Sequence, residues 1–188
     1  MSRKRIPLWN FSPTSNDRIV LDTNILIKIF HPLNYSASEK DEEYEEFYAA
    51  LVRNKSMLLL SSVQISEYIN RCIRIQFGLY KRDNQHANTY QFKEDYRGTR
   101  DYLDNMNSII NTVKDDIIPY FSTIDDGFKA IAPENIYLCN ISYDFNDALL
   151  AEITKAQNAY LVTDDSDFIN YSNSIDLITN NNWLLSCR

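Results

Sequence analysis

The chain has 188 residues, 44% of them hydrophobic and 24% charged, with a formal net charge of −7 and a pI near 4.8. That describes one ordinary domain with enough chain for a core. It excludes a spanning helix, because no apolar run approaches the roughly 20 residues a bilayer needs, and it argues against non-specific coating of nucleic acid.

The chain opens on "MSRKRIPLWNFSPTS", which is basic but lacks the apolar segment of a secretory signal. Residues 1–17 are expected to form an N-terminal extension, with Trp9 and Phe11 packing back onto a single domain spanning 18–188. "RIVLD" (18–22) and "MLLLSS" (57–62) are apolar runs of strand length, as are "NIYLCN" (135–140), "AYLVT" (159–163) and "IDLIT" (175–179). Helical patterns alternate with them. "EKDEEYEEFYAALVRNK" opens acidic and closes basic, as the helix dipole favours. "SSVQISEYINRCIRIQFGLYKR" opens on serines suited to an N-cap. The region of about 83–130 is expected to be an elaborated helical part, broken at Pro119. "DFNDALLAEITKAQN" forms a compact helix with apolar Phe145, Ala148, Leu149, Ile153 and Ala156. Cys72, Cys139 and Cys187 are odd in number and lack metal-ligand spacing, which fits packing roles in a reducing cytoplasm.

Alternating strands and helices imply a mostly parallel sheet covered on both faces. Sites in such folds form at the carboxyl ends of strands, near the point where strand order reverses. Two acidic stretches end strands, "LDTN" and "VTDDSD", and bring forward Asp22 and Asp165. Glu67 on the third helix and Asp147 in the first turn of "DFNDALLAEI" join them as candidates. Each acid also has a structural reading. Asp22 could cap the following helix, Asp144 could cap its own with Asp147 completing a capping-box-like pair, and Glu67 could be a surface glutamate. Convergence has an electrostatic cost: two carboxylates about 5 Å apart repel by about 3 kcal/mol at an effective dielectric near 20. A divalent cation relieves it. Oxygen ligands with neither of the two histidines, His31 and His86, among them suit one or two Mg2+ or Mn2+ ions rather than zinc.

"IVLDTNILI", "SSVQISEYI", "DFNDALLAEI" and "YLVTDDSDF" resemble, in order, the four acidic motifs of PIN-domain nucleases of the toxin-like ribonuclease branch, or of an elaborated relative. The resemblance runs from about Arg18 to Thr179. It implies a three-layer α/β/α sandwich with a five-stranded, mostly parallel sheet, here carrying a helical insertion. It also implies metal-dependent endonucleolytic hydrolysis of RNA. Asp22, Glu67, Asp147 and Asp165 match the family's catalytic and metal-binding acids, Asn24 its polar residue after the first acid, and Thr163 its hydroxyl residue before the last. An antitoxin protein and a homodimer are partners that such a resemblance brings with it. The chain departs from compact members in the residues before its first strand and in a longer interval between Glu67 and Asp147.

Asp22 is the expected bridging ligand, with Asp147 and Asp165 completing the shell and Glu67 holding a water or a second ion. Asn24 and Thr163 are expected to orient carboxylates. Strand alternation puts Thr163 and Asp165 on one side and Asp164 on the other, facing solvent, with Asp167 a second contributor or cap in front of Phe168. On the third helix Glu67, Arg71, Arg74, Lys81 and Arg82 fall within an arc of about 100°, a basic track suited to an RNA backbone unless Gly78 breaks the helix. The same stripe also reads as a solvated face with a Glu67–Arg71 pair at i, i+4. In "YQFKEDYRGTRDYLDNM" the tyrosines interleave with Lys93, Arg97 and Arg100, a pattern favouring packing over base stacking. A phosphatase of the haloacid-dehalogenase type would want an aspartate where Asn24 stands. The rival of another class is a catalytically inactive module of the same fold that binds RNA or protein.

Overall fold

A computed structural model describes residues 4–30, 39–85, 88–137 and 144–187. His31, His86, Cys139 and residues 138–140 of the expected "NIYLCN" strand lie outside them.

Six parallel strands form one sheet: β1 (Arg5–Pro7), β2 (Arg18–Leu21), β3 (Met57–Ser61), β4 (Ser122–Ile124), β5 (Tyr160–Val162) and β6 (Asp176–Thr179), in the order β1-β6-β5-β2-β3-β4. The expected runs at 18–22, 57–62, 159–163 and 175–179 supply β2, β3, β5 and β6. The sheet therefore has six strands among the described residues where five were expected. Its two extra members are edge strands of three residues each, too short to show periodicity. β1 comes from the N-terminal extension and pairs with β6, and β4 lies inside the region expected to be helical and pairs with β3. The expected strand at 135–140 is corrected in its first part: Pro133–Ile136 is a helical turn, α5, with proline at its first position. Ile136 is buried against Leu149 and Ile153, and a short buried helical turn and a buried strand have the same apolar signature.

Alternation along the strands splits the core between two faces. Ile19, Leu21, Leu58, Leu60, Val162 and Ile178 face one side, packed against α1 (Thr23–Ile29), α2 (Glu39–Arg53), α3 (Ser62–Asp83) and α4 (Arg100–Asn111). Val20, Leu59, Leu161 and Leu177 face the other, against α6 (Phe145–Ala156) and the turn of 3-10 helix at Ser166–Tyr171. A short α7 (Asn182–Ser186) closes the chain. The result is a three-layer α/β/α sandwich. Phe11 packs edge-on to Phe47 and Tyr160 as expected of the extension, whereas Trp9 is exposed. α3 continues through Gly78 to Asp83 without a break. Beyond it follow a π-helical turn at Phe92–Tyr96, α4, a further π-helical turn at Thr112–Ile117 and a 3-10 turn at Ile118–Tyr120 that contains Pro119. The tyrosines of this elaborated part pack: Tyr96 and Tyr102 meet Phe92, and Tyr90 and Tyr96 meet Phe77.

Candidate functional site

On one side of β2 lie β3 and then β4, and on the other lie β5, β6 and β1. The reversal between β2 and β5 is where such sheets open a crevice at their carboxyl ends. Asp22 follows β2, Thr163 to Asp165 follow β5, and the backbone N–H of Asp22 donates to Val162 across the gap at 2.9 Å.

Asp22 is the N-cap residue of α1, yet its carboxylate makes no capping bond. Instead Thr163 Oγ1 donates to Asp22 Oδ2 at 2.7 Å, and the Asp165 N–H donates to Thr163 Oγ1 at 3.0 Å. Asp22 and Thr163 are both buried, at 4% and 0% exposure. One hydroxyl thus ties the acid of one strand end to the backbone of the other. Burial, reinforced by the charges of Glu67 and Asp165, pushes the Asp22 carboxyl up to about 7 against the opposing Thr163 bond and the Arg71 charge. Asp147 is pushed up to about 8, first by burial and then by Asp22, Asp144, Asp165 and Glu67. Asp22, Glu67, Asp147 and Asp165, with Asp144 beside Asp147, are therefore brought within electrostatic reach of one another.

Glu67 accepts from Thr23 Oγ1 at 3.1 Å and pairs with Arg71 Nη1 at 3.3 Å. Asp144 caps α6, its Oδ1 accepting from the N–H groups of Asn146 at 2.7 Å and Asp147 at 3.4 Å, which presents Asp147 from the first helical turn. Asp165 caps the turn that follows, accepting from the Asp167 N–H at 2.9 Å. Asp167 itself is exposed, with Phe168 buried behind it. Among the described residues Asn24 hydrogen-bonds no carboxylate, and its buried Oδ1 has no partner.

Asp164 corrects an expectation. It is not solvent-facing: its carboxylate pairs with Lys28 Nζ at 3.1 Å and accepts from the Tyr44 hydroxyl at 3.3 Å, with Lys28 also bound to the buried Asp41 at 3.1 Å. Alternation sends it away from the other acids, as the register requires, but into the α1–α2 layer rather than into water.

The basic residues divide into two sets. Arg71 and Arg74 line a groove of about 560 Å3 with Asn24, Ile27, Lys28, Asn70 and Ile75. Lys81 lies over the ring of Phe77 and Arg82 pairs with Asp83, and neither reaches the groove.

Two supporting residues escaped the sequence reading. Thr23 carries no signal beyond its place after Asp22. Gln64 does: it stands three positions after Ser61, the spacing of a capping box. It accepts from the Ser61 N–H at 2.8 Å while its Nε2 donates to Leu21 O at 2.6 Å, pinning the start of α3 to the end of β2.

The PIN domain family model matches residues 19–173. The chain belongs to the PIN-domain family. PIN domains are in general nucleases that use divalent metals. No curated protein matches the sequence. Among solved structures, FitAcB from Neisseria gonorrhoeae is 15% identical over 85% of this chain and 96% of its own, with a TM-score of 0.50. A structure of FitAB bound to an IR36 DNA fragment is 14% identical over 86% and 94%, at 0.51. VapBC2 from Rickettsia felis bound to a DNA fragment from its promoter is 19% identical over 86% and 98%, at 0.46. Such identities speak to the fold alone.

The site of this PIN domain fits a hard cation in its chemistry. Its donors are carboxylate and amide oxygens, two of its acids are pushed to near-neutral pKa by burial and mutual charge, and Asn24 Oδ1 is an unused buried acceptor. Among the described residues no three acidic, histidine or cysteine side chains are gathered closely enough to enclose an ion. Among the described residues, no helix is long and apolar enough to cross a membrane.

Proposed function

We propose that this PIN domain is an Mg2+- or Mn2+-dependent endoribonuclease, with Asp22, Glu67, Asp147 and Asp165 as its acids. The observation that carries the reading is the state of Asp22 and Asp147: burial and like charge hold both carboxyls to about 7 and 8, a condition a divalent cation relieves. Asp22, Asp147 and Asp165 would hold the ion, with Glu67 beside them. Such an ion would acidify a water at neutral pH and offset charge on the phosphoryl oxygens.

The rest is the work of the chain's own side chains. Thr163 fixes the Asp22 carboxylate through Oδ2, which would leave Oδ1 as the oxygen available to a cation. The α6 cap sets Asp147, and Thr23 with Arg71 restrains Glu67. Arg71, which pairs with Glu67, and Arg74 line a groove that also includes Asn24, and they would hold phosphates of the RNA there, countering a net charge that would otherwise repel it.

A toxin of a toxin–antitoxin pair is the setting that the motif resemblance and the fold shared with FitAB support, with a protein antitoxin as partner. The separation of the acids favours one rival, an inactive RNA- or protein-binding module on the same fold. Incubating single-stranded RNA with Mn2+ and either the wild type or Asp22→Asn distinguishes them. The nuclease reading expects cleavage by the wild type, its loss in excess EDTA, and a fall of more than about 100-fold for Asp22→Asn, as removal of a metal ligand gives at least what loss of an outer partner does. Cleavage unaffected by EDTA overturns it, and RNA binding without cleavage supports the inactive module.

A further inference from the structure

Arg74 lines the groove, and the next cations met along α3 are Lys81 and Arg82, about 10 Å further up the helix. Neither lines the groove: Lys81 lies over Phe77, and Arg82 pairs with the adjacent Asp83. A different cation lies sideways from Arg74. The Arg74 guanidinium carbon is 3.9 Å from the centre of the Phe92 ring, and that of Arg97 is 5.4 Å from the centre of the same ring. Phe92 is itself immobilised, buried at 7% exposure with its ring against Phe77, Tyr96 and Tyr102. Both arginines are exposed, and among the described residues neither forms an ion pair with a carboxylate.

Stacking matters because it leaves a guanidinium's donors free. A ring against the flat face of a guanidinium leaves its five in-plane N–H bonds available for bidentate contact with a phosphate. A guanidinium already held on a ring also loses less side-chain freedom on binding than a free one. Arg71, by contrast, has a donor committed to Glu67.

We infer that the RNA path leaves α3 at Arg74 and crosses the Phe92 ring to Arg97, so that the elaborated segment supplies the outer half of the phosphate-binding surface. The inference rests on the endoribonuclease reading and deepens it. The helical elaboration then has a substrate-facing role: its π-helical turn at Phe92–Tyr96 places one ring near both a groove arginine and a second arginine.

The test is binding of a fluorescent single-stranded RNA by full-length protein carrying Asp22→Asn, across a salt series, with melting curves to confirm the fold of each variant. Arg97→Ala and Arg74→Ala are each expected to weaken binding about three- to tenfold and to reduce the salt slope by about 0.7 for each phosphate no longer neutralised. Lys81→Ala and Arg82→Ala are expected to leave both affinity and slope unchanged. Phe92→Leu, which removes no charge, is expected to weaken binding, and Phe92→Tyr to restore it. Full affinity and slope in Arg97→Ala, while Arg74→Ala binds weakly, overturns the crossing but leaves the endoribonuclease reading intact. An equal loss in Lys81→Ala also overturns it, in favour of a path along α3. Failure of the wild type to bind or cleave RNA at any salt overturns both.

Discussion

Asp22 and Asp164 are both largely withdrawn from water, yet their surroundings differ in kind. Asp22 has one hydroxyl donor and faces other carboxylates, whereas Asp164 has a lysine and a tyrosine hydroxyl. Neutralising the first relieves repulsion; removing the second leaves Lys28 short of a partner in a half-covered position. Asp164→Ala is therefore expected to lower stability by about 1–2 kcal/mol, since Lys28 keeps Asp41 and the pair is not fully buried. Cleavage per folded molecule should be retained. A thermal melt paired with a single-turnover cleavage assay, both at a temperature where the variant is folded, checks this. Loss of cleavage in a fully folded Asp164→Ala would transfer the catalytic assignment from Asp165 to its neighbour.

Among the elements, α3 carries the most: its start is pinned by Gln64, its second turn holds Glu67, and its exposed stripe lines the groove. Gly78 sits inside it with no atom within 4 Å of the position a Cβ would take, so the residue serves no close approach. Gly78→Ala should stabilise the protein by about 0.5–1 kcal/mol, through helix propensity alone. That corresponds to a rise in melting temperature of roughly 1–4 °C for a chain of this size. An unchanged or lowered melting point would mean that the helix is interrupted there in solution. The same scale shows what could be read from the residues alone. β2, β3, β5 and β6 announce themselves as apolar runs because both of their faces are buried, and strand-end placement then singles out Asp22 and Asp165. β1 and β4 are three residues long and lie at the edges, so pairing rather than pattern makes them strands. Thr23 with Glu67, and Lys28 with Asp164, join residues 44 and 136 positions apart, and nothing local in either partner marks the pair.

At the scale of the molecule, acids from the end of β2, from α3 and α6 and from the end of β5 lie within electrostatic reach of one another, in a chain that already carries a net charge of −7. Gathering like charges works against the folded state, and the size of that opposition depends on pH. In the unfolded chain Asp22 and Asp147 lose their protons near 3.8, whereas in the folded chain they do so near 7 and 8. Between those limits the native state holds protons that the unfolded state lacks, so these two groups make stability fall as pH rises. The metal-free protein should accordingly melt at a lower temperature at pH 8 than at pH 5.5. Asp22→Asn, which keeps an acceptor for Thr163 and removes the charge, should flatten that decline and melt higher than the wild type at pH 8 by roughly 2–4 °C. Millimolar Mn2+ should act in the opposite sense to the protons it displaces. Its stabilisation of the wild type is expected to be small at pH 5.5 and to grow through pH 7 to 8, as binding no longer has to expel protons from the two carboxyls. Differential scanning calorimetry of both proteins over this range, with EDTA and with Mn2+, makes the comparison. A Mn2+ increment that is independent of pH, or equal in Asp22→Asn, would place the ion away from these acids and remove the physical basis for assigning them the chemistry.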